Sequence, residues 1–210
     1  MCRIRPHPPT YRGIGRTKVT YADNTTTASG VDGHRARGDP RYHRGRQKGK
    51  AHNGAQSIGS GGGLAVRIWS NDFQNEGAIP KLFTCDDRDV SPHLAWDGVP
   101  EGTQSLALIV DDPDCPGTWA HWLVCDIPPH VGEMPRGAVP TGSRQVRNDF
   151  GKVDYGGPCP PSGTHRYFHR LYALRTPRME ATDKRSFYAE VERNKLAEAV
   201  LMGRYKRSRW

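Results

Sequence analysis

Residues 65–210 predict a mainly β domain built from antiparallel strands. Short apolar runs bounded by turn residues supply the strands, Gly-, Pro- and Asp-rich segments recur between them at hairpin spacing, and the repeated helical crossovers of a parallel sheet are missing. The run QSLALIV at 104–110 lies between EGT and an acidic DDPD turn and suits a strand buried on both faces. AHWLVCDIP at 120–128 is a second such run. RYFHRLYAL at 166–174 is a third; Tyr167, His169, Leu171 and Ala173 share one face and Arg166, Phe168, Arg170 and Tyr172 the other. Neither face is purely apolar, so at least one is expected to border solvent or a cavity. Segments 97–103, 113–118 and 155–164 carry the intervening turns. A helix is predicted from about Thr182 to Asn194, with Thr182 as N-cap, Asp183 in the first turn and Phe187, Tyr188 and Val191 on its apolar side. Residues 196–207 fit either its extension or a terminal strand.

Charge divides the chain in two. Residues 1–64 carry 12 Lys or Arg against 3 Asp, a net of +9, whereas residues 65–210 carry 19 of each sign. The basic stretch is poor in aliphatic residues, cannot bury enough apolar surface to offset chain entropy, and is expected to be a disordered tail ending in the linker-like SIGSGGG at 57–63. Counterion release would give such an arm only non-specific contact with nucleic acid or anionic lipid, so no specific nucleic-acid partner is expected. A start codon assigned too far upstream in a GC-rich genome would produce the same composition. No run reaches the roughly 18 apolar residues of a membrane span, and the N-terminal region lacks the apolar core of a secretory signal. A cytoplasmic protein without a transmembrane segment is expected, in which the Asn24 sequon carries no glycan.

The cysteines, Cys2, Cys85, Cys115, Cys125 and Cys159, show no CxxC spacing and so suggest neither a zinc ribbon nor a dithiol redox motif. Most are expected to be small buried hydrophobes. Cys85 and Cys159 both fall in predicted loops, and a bridge between them is open at this level.

Two strings gather acids, histidines and turn formers at likely strand ends: DDPDCPGTWAHW at 111–122 and NDFGKVDYGGPCPPSGTHRY at 148–167. That is the composition of a polar binding pocket. With IPKLFTC, SPHLAWDGVPEGTQSLALIVDDPDCP, WAHWLVCDIP and LMGRYKR, these strings make residues 66–207 resemble the bacterial and archaeal branch of the phosphatidylethanolamine-binding proteins, also called Raf kinase inhibitor-like proteins. The resemblance implies an antiparallel Greek-key β-sandwich with a few short helices and a small anion-binding cavity at one end. Position by position, Asp112 and Asp114 match the acids of the family's DPDxP motif, His121 the histidine before its aromatic, His165, Arg166 and Tyr167 its GxHRY motif, and Pro160 and Pro161 the prolines that wall the cavity. Cys115 stands where alanine is usual, His169 and Arg170 where apolar residues are usual, and Asn194 where bacterial relatives tend to have histidine.

The residues themselves support an anion site. A carboxylate that accepts a hydrogen bond from an imidazole orients the ring and raises its pKa, so His121 and His165 are expected to present charged N–H donors to a phosphoryl oxygen. Tyr167 and backbone N–H groups of the 156–163 loop would add donors. Asp112 or Asp114 could also meet an ammonium group. Simpler roles compete: Asp112 as a turn former, His121 as a core histidine, Trp119 and Trp122 as core. Arg166 is expected to pair with Asp149 or Asp114 as structural support rather than touch ligand.

The expected function is a non-catalytic binding module for phosphate-bearing ligands such as phospholipid headgroups, with a modulatory role, no cofactor, and a monomeric or weakly dimeric state. The alternative is contact inhibition of a protein kinase or serine peptidase, for which the irregular segment 132–146 is the candidate mobile loop. Hydrolysis is disfavoured because no GxSxG elbow is present and Cys159 lies between prolines that lack oxyanion-binding N–H groups. No metal site is expected, since a His–Asp hydrogen bond would use the atoms that a site of His121, His165 and Asp112 needs.

Overall fold

The apolar runs pair into two antiparallel sheets, as the turn spacing requires. The computed structural model describes residues 57–58 and 65–207. Its strands are β1 (Ser57–Ile58), β2 (Arg67–Trp69), β3 (Leu94–Asp97), β4 (Ser105–Asp112), β5 (Trp119–Ile127), β6 (Glu133–Met134), β7 (Arg144–Val146), β8 (Thr164–Leu174) and β9 (Lys195–Lys206), with one α-helix, α1 (Lys184–Asn194), between the last two. The large sheet runs β1-β9-β8-β4-β5-β7 and the small one β2-β3-β6. Apart from β1, which pairs with Ala199 and Glu198, the basic tail lies outside the described residues.

Alternation along β4 builds two apolar layers at once. Leu106, Leu108 and Val110 face the small sheet and join Ile68, Leu94, Trp96, Trp122, Leu171 and Leu201 in the main core. Ala107 and Ile109 face the other way, against Phe187 and Val191 of α1. Every residue of β4 is buried, as its continuous apolar run implies.

Residues 196–207 return as a strand: β9 pairs with β8 along nearly its whole length, from Thr164–Lys206 to Leu174–Lys195. The helix matches its expected span, but its N-cap is Asp183 rather than Thr182. The Asp183 carboxylate accepts from the Ser186 N–H at 2.8 Å and the Ser186 hydroxyl accepts from the Asp183 N–H, a reciprocal box that a threonine one residue earlier does not complete.

One face of β8 borders solvent, as expected: Arg166 is exposed and Phe168 and Arg170 are half-buried, while Tyr167, His169, Leu171 and Ala173 are buried on the other. Arg170 stacks on Phe168 and lies 3.4 Å from Asp111 and 3.5 Å from Glu198, so its charge is neutralised beneath the helix layer. His169 points into the main core beside Phe73 at a ring-centroid separation of 5.3 Å. Backbone groups of Tyr167 and Leu201 flank it, yet neither ring nitrogen has a partner at hydrogen-bonding geometry among the described residues. Burial pushes its pKa from 6.5 down to about 4.

Cys85 and Cys159, 74 residues apart, form a disulfide with Cα atoms 5.5 Å apart. The bridge joins the segment after the short 3₁₀ turn Lys81–Phe83 to the GGPCPP loop, where the Cys85 N–H also donates to the Pro158 carbonyl at 3.2 Å.

Two predictions follow from these core features. Because folding holds His169 neutral between pH 6.5 and about 4, the stability it confers is fully present above pH 6.5 and is lost as pH falls through that window. Urea titrations should show the wild type losing up to about 3 kcal/mol more than His169→Leu on going from pH 7 to about pH 4; parallel losses would refute a neutral buried ring. For the disulfide, replacing both Cys85 and Cys159 by Ser should lower the unfolding free energy by about 2–4 kcal/mol. A reductant should reproduce that loss in the wild type and leave the double variant unchanged.

Candidate functional site

The site forms where β4 ends and β8 begins. Antiparallel register sets Asp111 opposite Phe168 and Val110 opposite His169, so the end of β4 lies beside the start of β8. On the main-core side this brings Asp112, His165 and Tyr167 together. On the helix side Asp111 meets Arg170 and accepts a hydrogen bond from the Tyr188 hydroxyl at 3.0 Å.

Asp112 is 1% exposed and uses both oxygens. Oδ1 accepts from the Asp114 N–H at 2.9 Å, the turn-forming role that competed in the sequence reading. Oδ2 lies 2.7 Å from His165 Nδ1 and 3.4 Å from Cys115 Sγ. The turn and the contact with His165 therefore coexist in one side chain.

The neighbouring β5 contributes His121 through an irregularity. Asp111 pairs with Ala120 and Val110 with Trp122, leaving His121 as the extra residue of a bulge. The bulge reverses the alternation: Trp122 and Val124 face the main core, yet Ala120 faces the helix layer. His121 Nδ1 lies 2.6 Å from the Gly156 carbonyl, and the ring packs edge-on against Tyr167 and Phe150 with centroids 5.1 Å from each.

The expected charge on His121 is corrected. Burial pushes its pKa down to about 4 despite the neighbouring Asp112, so the ring is neutral at pH 7 and its Nδ1–H is given to a backbone carbonyl. The desolvation cost of an imidazolium wins because the Asp112 carboxylate is already engaged by His165 and Cys115. His121 is a wall and an anchor for the glycine loop rather than a cationic donor.

Tyr167 is 1% exposed, and its hydroxyl has no hydrogen-bond partner among the described residues. Burial, with Asp112 and Cys115 nearby, holds the phenol protonated at any ordinary pH. It is a donor without an acceptor. His165, whose side chain is 12% exposed, links this buried group to solvent.

Asp114 turns outward to Arg166, which donates to it from Nη2 at 2.6 Å, from Nε at 3.1 Å and from its backbone N–H at 2.8 Å. These hydrogen bonds hold the Asp114 carboxyl below the usual range. Asp114, expected among the ligand-binding residues, is thereby a latch between the DPDCP turn and β8. Asp149, the other partner expected for Arg166, instead accepts from Lys184 Nζ at 2.7 Å and from the Ala120 N–H at 2.6 Å, tying α1 to the start of β5.

The glycine loop is held by close approach. A Cβ on Gly156 would meet the Phe150 ring at 2.5 Å, and one on Gly157 would strike Asp89 and the Phe83 carbonyl. Pro160 is buried and Pro161 exposed, directly after the disulfide-bonded Cys159. The 132–146 segment, expected to be a mobile inhibitory loop, includes β6 and β7, and Arg144 fastens it to the Met179 and Ala181 carbonyls at 2.6 and 2.8 Å.

A separate open groove of about 430 Å³ is lined by Asp89, Ser91, Trp122, Gln145, Asp154 and Tyr155 among others, and contains none of Asp112, His121, His165 or Tyr167. The residues singled out from the sequence gather at the β4–β8 junction and not in this groove.

Among the described residues no helix is long and apolar enough to cross a membrane. A family profile described as phosphatidylethanolamine-binding protein matches residues 69–206. A UPF0098 protein of Aquifex aeolicus is 43% identical over 158 residues, covering 70% of this chain and 92% of that protein. A UPF0098 protein of Methanothermobacter thermautotrophicus is 46% identical over 150 residues, covering 68% and 99%. The crystal structure of Escherichia coli YbcL, described as a member of the mammalian PEBP family, superposes with a TM-score of 0.65 at 33% identity over 67% of this chain and 98% of that one. The fold, the ordered motifs and these relatives lead to one statement: the chain belongs to the phosphatidylethanolamine-binding protein family, in its bacterial and archaeal form, and is a protein of binding type.

Proposed function

We propose that the β4–β8 junction binds the phosphoryl group of a small ligand, such as a phospholipid headgroup, without catalysis, and that the protein acts as a modulatory ligand-binding module. The buried, unpartnered Tyr167 hydroxyl carries this reading. A buried polar hydrogen without an acceptor costs about 1–3 kcal/mol, which an arriving oxyanion offsets. Its neighbours fit that role: the half-buried His165 offers a second donor held by Asp112, and the neutral His121 ring packs edge-on against Tyr167.

The same geometry supports a non-catalytic role. Cys159, one of two candidate nucleophiles near the histidine in sequence, is spent in the disulfide. The other, Ser162, is exposed on its loop. For the contact-inhibitor alternative, β6, β7 and the Arg144 anchor fix both ends of the 132–146 segment, leaving residues 135–143 as the connecting loop.

Inorganic phosphate or phosphoethanolamine at about 100 times its Kd should stabilise the protein by about 2.7 kcal/mol, read as a rise in Tm. Tyr167→Phe should fold and lose about tenfold or more in affinity, as expected for one hydrogen bond to a charged acceptor. His165→Ala should abolish the shift. An unchanged shift in both variants would place the anion elsewhere.

A further inference from the structure

We infer that Asp112, Cys115 and His165 form a binding site for a thiophilic divalent cation of the zinc class. Three chemically different donors converge there: Asp112 Oδ2 to His165 Nδ1 is 2.7 Å, Cys115 Sγ to Asp112 Oδ2 is 3.4 Å, and Cys115 Sγ to His165 Nδ1 is 4.0 Å. The three ligand atoms lie within 4.8 Å of one another.

The same histidine nitrogen faces both the carboxylate and the sulfur. That separates this cluster from a nucleophile relay, in which the base would touch the thiol through one ring nitrogen and the orienting acid through the other. Here the donors surround a point rather than form a chain.

Bond lengths support the assignment. Zinc holds N or O at about 2.0–2.1 Å and S at about 2.3 Å in tetrahedral geometry, which sets donor separations of about 3.3–3.6 Å. The sulfur–oxygen distance already lies in that range. The nitrogen–oxygen distance is short because a proton now joins the two atoms, and the nitrogen–sulfur distance is long. One small movement of His165, away from Asp112 and toward Cys115, corrects both. His165 is free to make it, standing second in β8 with a partly exposed side chain, while Asp112 and Cys115 are 1% and 7% exposed.

Water or an anion would complete the tetrahedron, and Tyr167, whose hydroxyl lacks a partner among the described residues, lies near Asp112 and Cys115. His121 takes no part, since its Nδ1 is given to Gly156. The expectation that no metal site exists was drawn for a set containing His121 in place of Cys115, and a sulfur donor changes its terms.

The site is tested on the full-length chain, stripped with a chelator and loaded with zinc, with cobalt(II) as the spectroscopic probe. Cobalt should give tetrahedral d–d absorption and a thiolate-to-metal charge-transfer band. Cys115→Ala and His165→Ala should lose the band and more than about 100-fold in zinc affinity by chelator competition, exceeding the roughly 10–100-fold cost of removing an outer partner. Cys2→Ser, which removes a thiol far away in sequence, should change neither. His165→Ala alters a partly exposed side chain and guards against a folding artefact in the cysteine variant. A band that persists in Cys115→Ala, or a metal-free wild type under these conditions, overturns the proposal. Phosphate-induced Tm shifts on stripped protein form a separate arm: a shift without metal binding sinks only the metal site, and metal binding without a shift sinks only the phosphoryl reading.

Discussion

The antiparallel pairing of Ser105–Asp112 with Thr164–Leu174 is the constraint on which the site depends. It runs the end of one strand past the beginning of another and so makes neighbours of Asp112 and His165, 53 residues apart in sequence. Both strands are central in the large sheet and β4 is buried on two faces, so sliding the register would expose two apolar layers at once. The 2.7 Å contact between carboxylate and imidazole is thus placed by core packing and does not have to stabilise the fold on its own. Alternation does the rest: adjacent Asp111 and Asp112 point to opposite layers, one to Arg170 and Tyr188, the other to the histidine.

Burial then decides protonation. His121 stands beside an acid, yet its pKa falls to about 4, because taking an imidazolium fully out of water costs more than a carboxylate already shared by two donors returns. His165 keeps its contact with solvent, so the two rings stand in different surroundings. The β5 bulge aims His121 inward, where it closes the cluster from behind and locks the Gly156 carbonyl. The cluster thus has an uncharged imidazole on one side and a half-buried one on the other.

Much of this was legible in the residues. The three apolar runs marked β4, β5 and β8 to within two residues, and the ordered motifs named Asp112, His165 and Tyr167, which the fold gathers. Arg166 pairing with an acid was legible as well, although only the fold chooses Asp114 over Asp149. The rest depended on contacts that leave no local mark. A bulge appears as no pattern break in AHWLV; the cap shifted from Thr182 to Asp183 because Ser186 completes a reciprocal hydrogen bond; and neither cysteine of the disulfide carries a spacing signal. The charge assigned to His121 failed for a related reason: a sequence lists neighbours but not the water removed around them.

The polar residues of β8 show how the large sheet tolerates what its pattern seems to forbid. Arg170 survives beneath the helix because Asp111, Glu198 and the Phe168 ring surround it, and burial raises the Asp111 pKa while the Arg170 charge restrains that rise. His169 has no such company and stays neutral in the core. The main-core face is closed from Tyr167 onward, whereas on the opposite face Arg166 is exposed and Phe168 and Arg170 are half-buried. Arg166, latched to Asp114, holds the DPDCP turn against β8. Where the strand starts, the same alternation sets the half-buried His165 and the buried Tyr167 on the main-core side, beside Asp112 and the bulged His121. The polar groups of β8 are thus sorted by depth: those along the strand are paired or held neutral by burial, and the phenol at its start lacks an acceptor among the described residues.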